Sequence, residues 1–274
     1  MTEAQAPTEG GYPAPGKLEM IWGHGFMSPG GEGEVVRIIA DHDLRGCSVL
    51  DVGCGLGGAA IVLLQRCGAG MVTGFDVQSL LVDRARDRAR DLGLADRLTF
   101  VLGAPGPLPF ADRQFDVVFS KDAIIHVADK AALYHEMARV LRPGGRLFIG
   151  DWLTGEGHTN GPLRDRFLEL AGHDFHLVSL ADIGALTMAA GLAEVELVDR
   201  RDWYLAEATA ERDRLRGDLG KAFANRWGAE AHRDELAFWE TLVEAVAAGV
   251  VRPGHIRARK IYNSLEHNIA KETP

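Results

Sequence analysis

Asp122 and His126 stand four residues apart in the stretch SKDAIIHV. The carboxylate can hold the ammonium end of an amine, and the imidazole can take a proton from it, which an amine must lose before or while it attacks a carbon. The spacing predicts that both share one face of a short helix; in the plainer reading Asp122 caps that helix and His126 packs. Upstream, VLDVGCGLGG places Gly53, Gly55 and Gly58 in the order G-x-G-x-x-G. Such glycines let backbone approach a ligand closely and turn tightly into a helix, but they do not say which ligand. Asp51, two residues before the first of them, discriminates. A carboxylate there repels a dinucleotide's pyrophosphate and favours a ligand bearing an ammonium and a sulfonium. Asp76 follows at the end of the next strand, where a carboxylate can accept both hydroxyls of a ribose. By itself this is shared with dinucleotide sites; together with Asp51 and the later blocks of the chain it points to S-adenosylmethionine.

The elements needed to hold these residues are legible around them. Strands are expected over residues 48–52, 71–76, 98–101, 116–120 and 146–149. Helices are expected after the glycine loop as far as Leu64, over DRARDRARDLG, and over 130–141, where RPGG stops the last of these. The segment 191–198 reads as a helix end feeding another strand, and 34–42 as an amphipathic helix. This alternation predicts an α/β protein with a doubly wound, mostly parallel sheet, its ligands beyond the carboxyl ends of the strands. Residues 1–20 are expected as a flexible lead-in and lid, and 21–200 as the core, with an insertion at 153–180 folding over the site. Residues 201–262 follow as a helical segment and last strand, and 263–274 as a tail.

Four blocks taken together resemble the class I methyltransferases over about residues 20–200: VLDVGCGLGG, GFDV, LPFADRQFDVVFS and VLRPGGRLFIGDW. The resemblance implies a Rossmann-like fold and an S-adenosylmethionine site containing Asp51, Gly53, Gly55, Asp76, Val77, Ala104 and Lys121. Many members carry an acidic residue after the third strand for the adenine amino group. Ala104 and Pro105 stand there instead, so backbone with Leu102 and Pro105 is expected to hold the adenine. IWGHGFMSPGG and SKDAIIH further resemble the phosphoethanolamine N-methyltransferases. That likeness implies cofactor contacts from Met27 and Ser28, an amine contact from Asp122, and pairing of His126 with Tyr12. The family's phosphate-gripping Arg, Tyr and Lys fall on His173, Phe175 and Leu242, and Arg164, Arg166, Arg200 and Arg201 are the cations nearby in sequence. The expected acceptor is therefore a small phosphate-free zwitterion such as an amino acid, methylated on nitrogen. Trp22, Phe26, Trp152, Phe175, Trp203 and Tyr204 are expected around it, since aromatic faces attract onium groups. Trp227 and Trp239 read as core.

Composition narrows the class further. The 274 residues carry a net charge of -9, with 46% hydrophobic and 25% charged residues. No basic stripe offers the phosphate neutralisation that nucleic-acid binding requires. No apolar run approaches the roughly 20 residues that span a bilayer, and the opening residues lack the pattern of a secretory signal. Cys47, Cys54 and Cys67 show no metal-ligand spacing, so no metal is expected. A cytoplasmic enzyme acting on a small molecule is the expectation, its oligomeric state not legible. Four alternatives stay open: S-methylation of a thioether such as methionine, phosphoethanolamine N-methylation, a dinucleotide-dependent reductase, and a cofactor-binding sensor without turnover.

Overall fold

Seven apolar strands set the frame: β1 (Ser48–Val52), β2 (Met71–Asp76), β3 (Leu98–Leu102), β4 (Phe115–Lys121), β5 (Leu141–Asp151), β6 (Leu192–Asp199) and β7 (Gly254–Lys260). The computed structural model describes residues 15–261. The strands form one sheet in the order β3-β2-β1-β4-β5-β7-β6, and β7 runs antiparallel to both its neighbours. β1 and β4 read as near-continuous apolar runs because both their faces are covered. The chain order reverses between β1 and β4, which pair side by side with Asp51 opposite Phe119. The carboxyl ends of these two strands therefore splay their loops apart and leave a crevice.

Helices α1 (Pro15–Trp22), α2 (Gly31–Ile39), α3 (Gly58–Gln65), α4 (Ser79–Asp91), α5 (Lys130–Val140), α6 (Pro162–Ala171) and α7 (Leu180–Ala189) interleave with the strands. Three more, α8 (Arg201–Arg216), α9 (Asp218–Trp227) and α10 (Ala229–Ala248), lie between β6 and β7. One face of the sheet packs on α2, α3 and α4 through Val35, Ile38, Leu63, Val82, Phe100 and Phe119. The other packs on α5 and α7 through Leu50, Val118, Tyr134, Leu147 and Ile183. A third cluster holds α6, α8 and α10 together around Phe167, Tyr204 and Leu242. α1 sits on a fourth, with Ile21 against Leu215, Phe223 and Trp239.

The elements that differ from the sequence reading have local causes. RPGG does not form a separate stop: α5 ends at Val140, and β5 begins at Leu141 and runs through those residues. The helix expected over 34–42 starts earlier, at Gly31, and stops at Ile39. Leu44, beyond its end, is buried in the same cluster as Ile38 and Ile39.

A buried charged cluster ties α2 to the far side of the sheet. Glu34 accepts from His255 Nε2 at 2.6 Å and from Arg200 Nη2 at 3.0 Å. Burial works to raise the Glu34 carboxyl, but the bonds and charges of His255 and Arg200 outweigh it and hold the group at about 2. Its folded value thus lies below the ordinary 4.5. Its contribution is complete above that ordinary value and is lost as pH falls towards 2. Glu34→Ala is expected to cost about 3–5 kcal/mol at neutral pH, because it strands the buried His255 and the partly buried Arg200. In urea unfolding, the gap between wild type and Glu34→Gln should close as the pH is lowered below 4.5.

Candidate active site

The crevice beyond β1 and β4 is a groove of about 920 Å³. All nine residues expected at the cofactor line it: Asp51, Gly53, Gly55, Asp76, Val77, Met27, Ser28, Ala104 and Lys121. The glycine turn shapes its floor. Gly53 has φ +75°, and a Cβ there would stand 2.2 Å from the Ala123 Cβ. The cofactor turn and the loop carrying His126 are thus packed directly on each other. Gly58 plays a different part and does not line the groove. A Cβ on it would meet the Gly25 carbonyl oxygen at 2.3 Å, so its bareness lets the segment bearing Met27 and Ser28 lie across α3.

Asp76 braces the turn from below. Its Oδ2 accepts the Gly55 N–H at 2.8 Å and its Oδ1 the Gln78 N–H at 3.0 Å. Asp51 is fully buried, and its Oδ2 has no hydrogen-bond partner. Burial, with the Asp76 charge beside it, pushes its carboxyl up to about 7, although Lys121 pulls the other way. An orphaned carboxylate oxygen in a groove wall fits a ligand that brings positive charge, and opposes one that brings pyrophosphate. The adenine expectation needs one correction. Leu102 is exposed and outside the groove because it ends the edge strand, whereas Pro105 and Leu108 line it.

Asp122 and His126 do not share a helix. Asp122 ends the β4 register with φ +51°, a left-handed conformation that aspartate tolerates better than most residues, and its N–H bonds the Gly150 carbonyl. His126 closes a short 3-10 turn, Ile124–His126. Both nevertheless face the same space. The Asp122 Oδ2 accepts from Lys121 Nζ at 2.6 Å, and the same ammonium reaches Ser28 Oγ at 2.6 Å. The His126 imidazole lies below its ordinary value of 6.5. Burial first and His173 second hold it down at about 4, against a hydrogen bond to the Asp174 backbone. It is therefore a neutral imidazole across the physiological range.

Beside the groove lies a cavity of about 480 Å³, which shares Met27, Ser28, Asp122 and His126 with it. The loop after α6 brings His173 and Phe175 to the cavity wall, with the Phe175 ring centroid 5.2 Å from that of His126. Trp22 and Trp152 line it as expected. Phe26 lines the groove instead. Tyr204 is fully buried behind Trp152, with ring centroids 5.3 Å apart, because α8 turns this face into the third cluster. Trp203 stacks on the Arg200 guanidinium, 4.5 Å from it. Trp227 and Trp239, read as core, both reach the cavity wall, although Trp239 is otherwise enclosed. Leu242 is core. Tyr12 lies outside the described residues.

Arg164, Arg166, Arg200 and Arg201 do not line the cavity. Arg200 is committed to Glu34, Arg201 to carbonyls at the end of α10, and Arg166 faces Glu244 at 4.0 Å. Among the described residues Lys17 is the one lysine or arginine in the lining, against Asp122, Glu230, Asp234 and Glu235.

Three site groups escaped the sequence reading. Asp151 ends β5 beside Asp122, fully buried, and its carboxyl is raised well above the usual range by burial and then by the Asp122 charge. Its place at a strand end, like that of Asp76, was a usable signal. Glu211 on α8 accepts from the Nε1 atoms of Trp22 and Trp239 at 2.7 and 3.2 Å, and burial lifts it to about 7. Glu235 on α10 is likewise lifted to about 7 by burial. Nothing in the local sequence marked either.

The comparisons agree with this geometry. Residues 49–145 match the family profile of a methyltransferase domain. Phosphoethanolamine N-methyltransferase 1 of Arabidopsis thaliana is 28% identical over 245 residues, 89% of this chain and 48% of the relative. The chain thus spans about half the length of the curated relatives it matches. Phosphoethanolamine N-methyltransferase 2 of Haemonchus contortus was solved with phosphomonomethylethanolamine and S-adenosylhomocysteine. It superposes with a TM-score of 0.84 at 24% identity, covering 91% of this chain and 58% of that one. A Galdieria sulphuraria protein assigned as a sarcosine dimethylglycine methyltransferase gives 0.74 at 24% identity, covering 84% and 85%. The fold is that of the class I S-adenosylmethionine-dependent methyltransferases, and residues 49–145 match the profile of a methyltransferase domain. Within that class it resembles the phosphoethanolamine N-methyltransferases.

Proposed function

We propose that this protein methylates the nitrogen of a small, phosphate-free amine, using S-adenosylmethionine held in the groove. That cofactor, when bound, supplies an electrophilic methyl group. Gly53 and Gly55 would bring backbone close to it, Asp76 would take its ribose, and Asp51 would face its positive charge. The chain's remaining work is alignment, because a displacement at carbon needs donor and acceptor held in line. Asp122 holds the acceptor's ammonium, and the neutral His126 imidazole receives its proton. Burial under α1, α6 and α10 excludes water.

The observation that carries this reading is the cavity itself. It opens on the groove at Met27, Ser28, Asp122 and His126, and its wall is aromatic and acidic. A phosphate would meet those carboxylates with Lys17 as its one lysine or arginine partner among the described residues. The relatives named for phosphoethanolamine and for sarcosine and dimethylglycine support a small amine acceptor. The described lining supports a departure from the phosphobase.

The test is methyl transfer from labelled S-adenosylmethionine to phosphoethanolamine, glycine, its N-methylated forms and methionine, with mass analysis of products. Turnover of a phosphate-free amine is the expected result. Preferred turnover of phosphoethanolamine would show that the phosphate is held by groups not identified above. A product methylated on sulfur would remove His126 from the mechanism, since a thioether has no proton to lose.

A further inference from the structure

Methyl transfer as proposed occupies the mouth of the 480 Å³ cavity, where its residues are shared with the groove. A space of that size suits ligands well above a two-carbon amine. One side of the unshared wall is built by α1, α9 and α10, which contribute Trp22, Trp227, Phe238, Trp239 and Glu235.

Two features give this wall an appetite for positive charge. The first is Glu211, a buried carboxyl that takes both indole N–H groups, one oxygen to Trp22 and the other to Trp239. It fixes the two rings 5.5 Å apart and inclined by 45°. An indole whose N–H is drawn onto a carboxylate presents a more electron-rich face, which a cation prefers. The second is Glu235, half-buried on the wall and without a hydrogen-bond partner among the described residues. The cation that acts on it is Lys17, across the cavity on α1.

We propose that this wall seats a second cationic group of the acceptor, so that the substrate is an elongated diamine. One nitrogen would lie at Asp122 and His126, and the other between Trp22 and the Glu235 carboxylate, with the fully enclosed Trp239 packed against Trp22. The proposal rests on the amine-methylation reading for the identity of the first nitrogen, and not for the binding of the second.

The experiment compares 1,4-diaminobutane, n-butylamine and 4-aminobutyrate on the full chain, by calorimetric titration and by methyl-transfer rate. The diamine should bind about tenfold or more tightly than n-butylamine, with 4-aminobutyrate weakest. Glu235→Gln should remove the diamine's advantage by raising its KM about tenfold more than that of n-butylamine, with the two kcat values changing in parallel. Lys17→Met, which removes the competing cation, should strengthen diamine binding. Equal binding of diamine and monoamine, or preference for 4-aminobutyrate, would overturn the proposal. If the titrations behave as expected while no amine is methylated, the cationic wall stands and the methyl-transfer reading falls.

Discussion

Asp122→Asn should lower kcat/KM for the amine acceptor by roughly 10²–10³-fold while changing cofactor affinity little. Among the described residues Asp122 is the one acidic group that lines both the groove and the cavity, and it pairs with Lys121. Losing a charged hydrogen bond in a site of this kind costs about 1.5–3 kcal/mol. A further penalty arises because the Lys121 ammonium, no longer neutralised, then repels the incoming amine. Asparagine is the substitution of choice because it tolerates the left-handed backbone at this position. The fold should survive it. Burial first and the Asp122 charge second raise the Asp151 carboxyl well above its ordinary value, so removing the Asp122 charge lowers it. His126→Ala should do less, about 10–10²-fold, because an imidazole held at about 4 is a weak base. It should also leave the acid limb of the kcat/KM profile unmoved between pH 6 and 9, since His126 does not titrate there. A larger loss in His126→Ala than in Asp122→Asn, or a vanished acid limb, would reverse the two roles.

The same pair shows how far sequence alone reaches. Alternating apolar runs fixed the strands because a strand buried on both faces has little compositional freedom, and β1 and β2 fall where the residues placed them. The groove was legible for a related reason: a left-handed glycine and a strand-end carboxylate are local demands, met within a few residues. The cavity was not. Trp239 reaches Trp22 through Glu211, partners 189 residues apart in one case and 28 in the other. Helical spacing within α8 or α10 carries no trace of that bridge. The His126 value was equally hidden, since it depends on burial under the loop after α6 and on His173, 47 positions later in the chain. Gly58 illustrates the opposite case. It completes the G-x-G-x-x-G pattern, yet a Cβ there would meet the Gly25 carbonyl oxygen, and it does not line the groove.

Asp76→Ala should weaken S-adenosylmethionine and S-adenosylhomocysteine alike by roughly 10²-fold or more, the largest loss expected from any single cofactor-side change. Two losses add. The side chain's remaining lone pairs, which the proposed ribose contact uses, disappear, and the Gly55 and Gln78 N–H groups that it holds are released, so the glycine turn loosens. Asp76→Asn should rescue little, because an amide presents N–H where one of those backbone donors already points. Asp51→Asn separates charge from shape. Asp51 sits at about 7 in the absence of ligand because burial outweighs Lys121. A cation arriving beside it favours the ionised form, so near pH 7 binding should release about half a proton. Titrations in buffers of different ionisation enthalpy read that proton directly. The release should vanish in Asp51→Asn and shrink in Asp76→Ala, because the Asp76 charge helps hold the Asp51 carboxyl up. Unchanged proton release in Asp51→Asn would place the cofactor's charge elsewhere in the groove. Binding by Asp76→Ala within about threefold of wild type, less than a single hydrogen bond is worth, would remove the ribose from the end of β2.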